Sequence, residues 1–413
     1  MQVHKAVVVK LDPTPEQTIK LASHIGAARF CHNKLLGYAN EQYKSGEKIG
    51  LSGYDLRKLW NENKDEWAPW WKENYCEAYG NAALNLGLAF KDFFSGKKGY
   101  PRFKKKSVRD SYTIAVGSFG VVDSTHVKVP RIGNIHVLEP LGDIEVTSMT
   151  IRKKADGYYV SLRFKTEIQP KPRKNKSVGV DLGINALATL STGEKVAMPD
   201  KLERLDRKNR RLARSMSRKE KGFANRERAK AKLARGQQKV VNLRQDALHK
   251  LTNRLVSEFD VICIEDLNVS GMMKNHHLAR SVANASFYEF RRQLEYKTAW
   301  YGKKLVVADR FYPSSKLCSG CGQKHEMPLN QRTYKCQCGL VLDRDVNAAL
   351  NLLKVAGDAL ETQNACGETV RHKGGNHSAG VQVSVKQESQ IGKPHSATRE
   401  PGSCLSDDRQ ALG

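Results

Sequence analysis

Two close pairs of cysteines, Cys318/Cys321 and Cys336/Cys338, constrain this chain more than any other feature. They lie in FYPSSKLCSGCGQKHEMPLNQRTYKCQCGLVLDRDVNAALNLL, Phe311 to Leu353. Cysteines two or three residues apart let one tight knuckle aim both sulfurs at a single centre. Two such knuckles complete a tetrahedral thiolate shell, the closed geometry of structural zinc. Gly320, Gly322 and Gly339 supply the small or positive-φ positions that knuckle turns need. Four unrelated thiols are the plainer alternative, but paired spacing with matched glycines is specific. Disulfides fit poorly, since nothing in the chain points to export. Zn²⁺ is therefore expected on Cys318, Cys321, Cys336 and Cys338.

Directly after the second knuckle come Asp343, Arg344 and Asp345, and then AALNLLKVAG reads as a helix. Acids at a helix N-terminus are favoured by the dipole and the free N–H groups, so capping alone explains one isolated Asp. Two acids upstream occupy equally telling places. Asp181 sits in the apolar strand of SVGVDLGINALATL, where a carboxylate is costly unless paired or bound to metal. Its plainer role is a turn cap before Gly183. In FDVICIEDL a short buried-type strand ends in Glu265 and Asp266. Alternation puts these two on opposite faces, so only one can join Asp181, and spacing does not choose. A mixed α/β sheet that gathered Asp181, one of this pair, and Asp343 or Asp345 would form a hard oxygen cage suited to Mg²⁺. Two such ions can activate water and stabilise the leaving oxygen of a phosphodiester.

The partner follows from charge. The 413 residues carry 70 Lys and Arg against 43 Asp and Glu, a net charge of +27 spread over most of the chain. That distribution points to extended polyanion contact, hence nucleic acid. The sequence holds no apolar span of about 18 residues to cross a membrane. MQVHKAVVVKLDPTPEQ lacks the apolar length of a signal peptide. Nine cysteines, four of them on one metal, fit a reducing interior, so a cytoplasmic, nucleoid-associated protein is expected.

Taken in order, VHKAVVVKL is a strand stopped by Asp12-Pro13, and helices follow from Pro15 to Phe94. Phe30, Leu35, Tyr38, Leu56, Trp60, Trp70, Tyr79 and Leu84 recur there at near-helical spacing and are expected in the core. After Gly96–Pro101 the pattern alternates with Gly, Asp and Pro turns, which predicts antiparallel strands in a small barrel or sandwich. The first strand is expected to pair with these, leaving the helical block as an insertion. Arg102, Lys104, Lys105 and Lys106 surround Phe103 and are expected to touch phosphates. Residues 168–176 read as a linker. Lys201 to Arg244 reads as a long basic helix pair, and Arg210, Arg211 and Arg214 on it suit a duplex backbone. A polar loop is expected around Met272–His277, then an amphipathic helix over ASFYEFRRQLEYKTAWYG and a strand at KLVVADR. Past Gly357 the text turns polar and no aromatic occurs after Tyr334, so residues 359–413 are expected to be a disordered tail.

GVDLGINALATLSTG, VICIEDLNV, YPSSKLCSGCG and CGLVLDRDVNAALN together resemble the RuvC-like nuclease core of the TnpB/OrfB proteins of bacterial insertion sequences, compact relatives of type V CRISPR effectors. RQDALHKLTNRLV and YEFRRQLEYKTAWYG resemble that family too, and the likeness spans residue 1 to about 355. It implies an α/β and β multi-domain chain. An RNase H-like (RuvC) core at 177–310 and 340–358 is interrupted by a zinc ribbon at 311–339. An N-terminal β-barrel at 1–14 and 97–167 carries a helical recognition insertion at 15–96. Carried over by motif, Asp181 is the first catalytic acid, Glu265 rather than Asp266 the second, and Asp345 of D-x-N-A-A the third, with Asp343 an alternate or cap. The resemblance further implies catalytic Mg²⁺, structural Zn²⁺, a guide RNA from the element's end, a double-stranded DNA target, and a partner transposase of the same element. The competing expectations are a transposase acting without a guide, and a nucleic-acid-binding regulator whose zinc element is the working part.

Overall fold

In the computed structural model, residues 1–106, 110–184, 186–276, 279–328 and 331–365 are described, with side chains through residue 357. The expected tail from residue 366 onward, and His277 of the expected polar loop, lie outside the described residues. Residues 1–364 form one compact unit.

The first strand, β1 (Gln2–Asp12), stops where Pro13 removes a ladder donor. Thr14 then caps α1 (Pro15–Lys44) through a reciprocal box: Thr14 Oγ1 accepts from the Gln17 N–H, and Gln17 Oε1 accepts from the Thr14 N–H. α2 (Gly53–Trp67) and α3 (Cys76–Phe94) pack on α1, with Trp60 and Tyr79 stacked at 4.9 Å between ring centres. The chain then lays down β2 (Ser111–Ile114), β3 (Gly120–Asp123), β4 (His126–Val129), β5 (Gly133–Val137), β6 (Val146–Lys154) and β7 (Gly157–Glu167). Together with β1 these make a seven-stranded antiparallel sheet of order β2-β6-β7-β1-β5-β4-β3. Ile114, Val127, Ile135, Met149, Ile151 and Val160 from one face are buried in one core with Leu21, Leu35 and Leu86 of the helices. The helical block therefore interrupts a sheet whose first strand was already laid down, as the alternation suggests.

Residues 170–176 have no regular structure and lead to a second sheet. Its strands are β8 (Ser177–Asp181), β9 (Ala188–Leu190) and β10 (Lys195–Val196). The basic helices α4 (Asp200–Ser217) and α5 (Ala224–Glu258) intervene before β11 (Val261–Glu265). Asn268 accepts from the Gly271 N–H and starts α6 (Val269–Lys274), so a capped helix replaces most of the loop expected around Met272. α7 (Ala279–Ala285), α8 (Phe287–Tyr301) and β12 (Lys304–Ala308) complete this layer. The sheet order is β10-β9-β8-β11-β12, with β8, β11 and β12 parallel. A crossover between parallel strands requires a long connection, here supplied by the helices. α5 and α8 cover one face, burying Val178, Val180, Ile262 and Ile264 against Leu251, Leu255, Phe290 and Leu294.

A small hairpin of β13 (Thr333–Lys335) and β14 (Val341–Asp343) follows, and then α9 (Arg344–Ala365). The hairpin includes residues 341–343, so the cysteine-bearing module extends past the boundary expected at 339. α9 continues to Ala365, past the boundary expected at 358. It covers the other face of the second sheet, where Leu352 and Ala356 meet Val261 and Cys263.

Candidate active site and metal centre

The four sulfurs of Cys318, Cys321, Cys336 and Cys338 lie within 4.8 Å of one another. Cys318 Sγ is 3.7 Å from Cys338 Sγ, and Cys321 Sγ is 3.5 Å from Cys336 Sγ. A tetrahedron with metal–sulfur bonds of about 2.3 Å has edges of roughly 3.8 Å, so the donor set fits zinc without rearrangement. Gly322 and Gly339 close the two knuckles at φ of 78° and 87°, a region costly for other residues. Burial raises the Cys318 thiol, but the backbone N–H groups of Cys321 and Gly320 and the facing sulfurs outweigh it, bringing it down to about 6. His325 Nε2 lies 3.2 Å from Cys336 Sγ, beside the donor set. Beneath the cluster Tyr334 is fully buried and donates its hydroxyl to the Lys316 carbonyl at 3.1 Å.

Strand register explains how the acids meet. Ile264 of β11 stands opposite Val180 of β8, which puts Glu265 level with Asp181 on adjacent parallel strands, about 4.8 Å apart. Alternation then assigns faces: Val178, Val180, Ile262 and Ile264 point toward α5 and α8. Asp181 and Glu265 share the opposite face with Gly179, Val261 and Cys263, under α9. α9 approaches so closely that a Cβ on Gly179 would lie 2.0 Å from the Ala349 carbonyl oxygen. Only glycine admits that contact, and it holds the start of α9 against the strand end that carries Asp181.

The electrostatics agree with this assembly. Burial, then Glu265, then Asp345 raise the Asp181 carboxyl, pushing it up to about 8. Burial also raises Glu265, partly offset by the hydroxyl of Ser314, which hydrogen-bonds Glu265 Oε1. Asp343 and Asp345 divide the work at the helix start. Asp343 Oδ1 accepts from the N–H groups of Asp345 and Val346, at 3.0 and 3.3 Å. Its Oδ2 lies 2.7 Å from Lys195 Nζ, whereas Asp345 is 3.8 Å from that ammonium. Burial would raise Asp343, but Lys195 and those N–H groups hold it below the usual carboxylate range. Among the described residues the four cysteines are the one group of three or more His, Cys, Asp or Glu side chains gathered so as to hold a metal ion as they stand.

Asp266 is paired elsewhere. On the α8 face it pairs with Arg291 at 2.6 Å and Arg310 at 2.7 Å. Spacing left Glu265 and Asp266 open, and the identity of the helix on each face separates them. Four supports had no sequence signal strong enough to single them out. Asn347 accepts from the Ser319 N–H at 2.9 Å and donates to the Leu317 carbonyl at 2.7 Å. Asn351, one turn on, donates to Ser314 and Leu317 carbonyls, both at 2.8 Å. Through these contacts the first knuckle is bolted to α9; the i, i+4 repeat of Asn in NAALN is the hint that was available. Ser314 and Lys195 are the others.

The candidate phosphate contacts lie on two separate segments. Arg102, Lys104, Lys105 and Lys106 are exposed on an extended stretch tied to α1, where Lys104 N–H donates to Asn33 Oδ1 at 2.7 Å and Asn33 Nδ2 returns to the Lys104 carbonyl at 2.9 Å. Arg210, Arg211 and Arg214 are exposed along α4, and Arg210 has Asp206 at 3.9 Å.

Comparison with known proteins adds independent findings. Residues 159–276 match the OrfB_IS605 family, described as "Probable transposase". Residues 287–352 match "Cas12f1-like, TNB domain", and residues 1–48 match a helix-turn-helix domain of the OrfB_IS605 group. Here residues 1–48 hold β1 and the single long helix α1. A protein of Streptomyces pristinaespiralis named "Putative RNA-guided DNA endonuclease" is 40% identical over 398 residues, covering 94% of this chain and 97% of its own length. The Escherichia coli K12 protein InsQ, with the same description, is 30% identical over 89% of this chain and 95% of its own. Among solved structures, the protein in "Cryo-EM structure of the Cas12f1-sgRNA-target DNA complex" superimposes with a TM-score of 0.51 at 12% identity, covering 85% of this chain and 98% of that one. That likeness is one of fold.

Proposed function

The chain belongs to the TnpB/OrfB family, and on that membership together with the site geometry we propose that it is an RNA-guided DNA endonuclease whose catalytic acids are Asp181, Glu265 and Asp345. The observation that carries the reading is the convergence of carboxylates from β8, β11 and α9 at one end of a parallel sheet. With Asp181 pushed up to about 8, the acids are not all ionised at neutral pH unless a cation sits among them. A hard divalent ion such as Mg²⁺ suits that donor set, and when bound it supplies water activation and charge stabilisation at the leaving oxygen. The protein's own groups prepare the place. Ser314 fixes Glu265, Asp343 caps α9 and keeps Lys195 engaged, and Asp345 is presented from the first turn of the helix.

The rest of the chain serves recognition in this reading. The second sheet is an RNase H-like (RuvC) core, the cysteine module a zinc ribbon, and the seven-stranded sheet an oligonucleotide-binding barrel with residues 15–96 as its recognition insertion. Arg102, Lys104, Lys105 and Lys106, with Arg210, Arg211 and Arg214, contact phosphates of guide and target. Base pairing with a guide RNA reads the double-stranded DNA target, while the protein reads a short adjoining duplex motif. Among the described residues no helix is long and apolar enough to cross a membrane. Cytoplasmic action on nucleoid DNA, beside a partner transposase of the same element, completes the proposal.

The test is to purify the chain co-expressed with the flanking sequence of its element, sequence the RNA it retains, and supply plasmids matching that RNA. One discrete RNA and cuts that follow its sequence are expected, with Mg²⁺ required. Random RNA fragments with cutting indifferent to the guide would replace this reading with that of a guide-free transposase.

A further inference from the structure

Far along the chain from both sites, four polar side chains form a row across one face of the seven-stranded sheet. Asp12 of β1 is in register with His136 of β5, His136 with His126 of β4, and His126 with Asp123 of β3. The row thus reads acid, imidazole, imidazole, acid over four adjacent strands. All four side chains are partly exposed and open to an ion from solvent.

Each imidazole has its own carboxylate. Both oxygens of Asp123 lie 3.1 Å from His126 Nδ1, and Asp123 is itself held by the Thr125 N–H at 2.7 Å and hydroxyl at 2.8 Å. On the other side Asp12 Oδ2 faces His136 Nδ1 at 3.7 Å. At His126, where the Thr125 hydroxyl also lies 3.0 Å from Nδ1, the hydrogen-bonded carboxylate draws the ring proton to Nδ1 and leaves the lone pair on Nε2, the arrangement that supports metal-binding histidines. Asp12 stands outside hydrogen-bond distance and would reach His136 only on a side-chain shift. The two rings meet edge to face with centroids 5.5 Å apart. Two imidazoles bound through nitrogen at about 2.05 Å with a tetrahedral angle would have centroids roughly 5 Å apart, a spacing comparable to the one observed, so a shared ion needs the rings to turn their Nε2 atoms toward each other.

We propose that His126 and His136 form a second transition-metal site, taking a borderline divalent ion such as Zn²⁺ or Ni²⁺ through their Nε2 atoms, with Asp123 and Asp12 orienting the rings. Imidazole pairs select such ions over Mg²⁺ or Ca²⁺, which prefer oxygen. The location gives the site a role. The sheet is two halves, β2-β6-β7-β1 and β5-β4-β3, and the β1–β5 seam has only Leu11↔Val137 and Asp12↔His136 in register. A bound ion makes the His136 Nδ1–H a stronger donor and so favours closing the 3.7 Å gap to Asp12 across that seam. The ion ties β4 to β5 directly and bears on the β1–β5 seam only through His136, and the inference does not depend on the nuclease reading.

The experiment uses the full chain with zinc already on its cysteines, titrated with Ni²⁺ by calorimetry and by thermal melting. His372, His377 and His395 are present in every variant, so the comparison isolates the row. Wild type should bind one more Ni²⁺ than His126→Gln or His136→Gln, or bind it at least about 30-fold more tightly, and Asp123→Asn should weaken the same step about 10-fold. Ni²⁺ should raise the melting temperature of wild type and leave the histidine variants unmoved. Zinc content and circular dichroism of each variant establish that it is folded. An unchanged stoichiometry, or an equal melting rise, in the folded His126→Gln/His136→Gln double variant would overturn the proposal.

Discussion

The thiolate cluster and the carboxylate site adjoin each other at Asp343, yet they are built in opposite ways. The sulfurs come from two knuckles close in sequence and stand at near-bonding spacing. The carboxylates come from β8, β11 and α9, with long helices between them in the chain. One centre is assembled by local turns, the other by the topology of a sheet. The two also differ in charge economy: backbone N–H groups favour a thiolate at Cys318, whereas burial and neighbouring acids oppose ionisation of Asp181. The thiolate set is favoured as built, whereas the carboxylate set holds unfavourable charge.

The comparison is broken most decisively through Asp181. Asp181→Ala should lower guide-directed cutting by at least about 10³-fold, since metal-bound charge is a principal source of rate. Zinc content and retained RNA should stay at wild-type levels. Cutting that survives the substitution would mean the carboxylate convergence is incidental. Cys318→Ser should act the other way round. Loss of zinc should lower the melting temperature by about 5–10 °C, because binding and folding are linked, and cutting should fall by roughly 10–100-fold. Full cutting in a zinc-free variant would show that the ribbon does not position α9.

Asn347 tests the bolt between the two regions. Its amide is fully buried and serves the Ser319 N–H and the Leu317 carbonyl. Asn347→Ala leaves the Ser319 N–H unpaired and the Leu317 carbonyl with Asn351 alone, a loss of about 1–3 kcal/mol. Zinc should remain bound while cutting falls about 10-fold, measured by metal analysis and by single-turnover cleavage. Equal loss of both would place the defect in the ribbon's own fold.

These contrasts also explain what the sequence reveals. Cys318, Cys321, Cys336 and Cys338 are legible because the physics of a knuckle is contained in a few consecutive residues. Asp181 and Glu265 are legible as candidates because a carboxylate ending an apolar strand is conspicuous. Strand alternation alone does not separate Glu265 from Asp266, and the pairing of Asp266 with Arg291 and Arg310, which reach it from α8 and from the end of β12, leaves no mark in the local sequence. Gly179 looks like any small strand residue until α9 is laid across it. Lys195 and Ser314 carry no local mark of their partners, since both contacts are made across the fold. The first helix boundary, by contrast, follows from Thr14, Pro15 and Gln17 alone.

The smallest expected effect concerns the charge held at Asp181 itself. In the unfolded chain its carboxyl titrates near the ordinary 3.8, and in the folded chain at about 8. Between those values the folded state binds more protons than the unfolded one, so stability without divalent ions falls as pH rises through that window. Below it the carboxyl is protonated in both states and nothing is lost. Asn has no such proton to lose, so metal-free Asp181→Asn should melt about 3 °C above wild type at pH 8, with the gap closing toward pH 5. Adding Mg²⁺ should raise wild type and leave the variant behind, since the ion replaces the missing proton only where the carboxylate remains. Melting curves of the two proteins across pH 5 to 9, with and without Mg²⁺, read this directly. Curves that coincide at every pH would mean that Asp181 is solvated well enough to ionise freely, and the contrast with Cys318 would then rest on geometry alone.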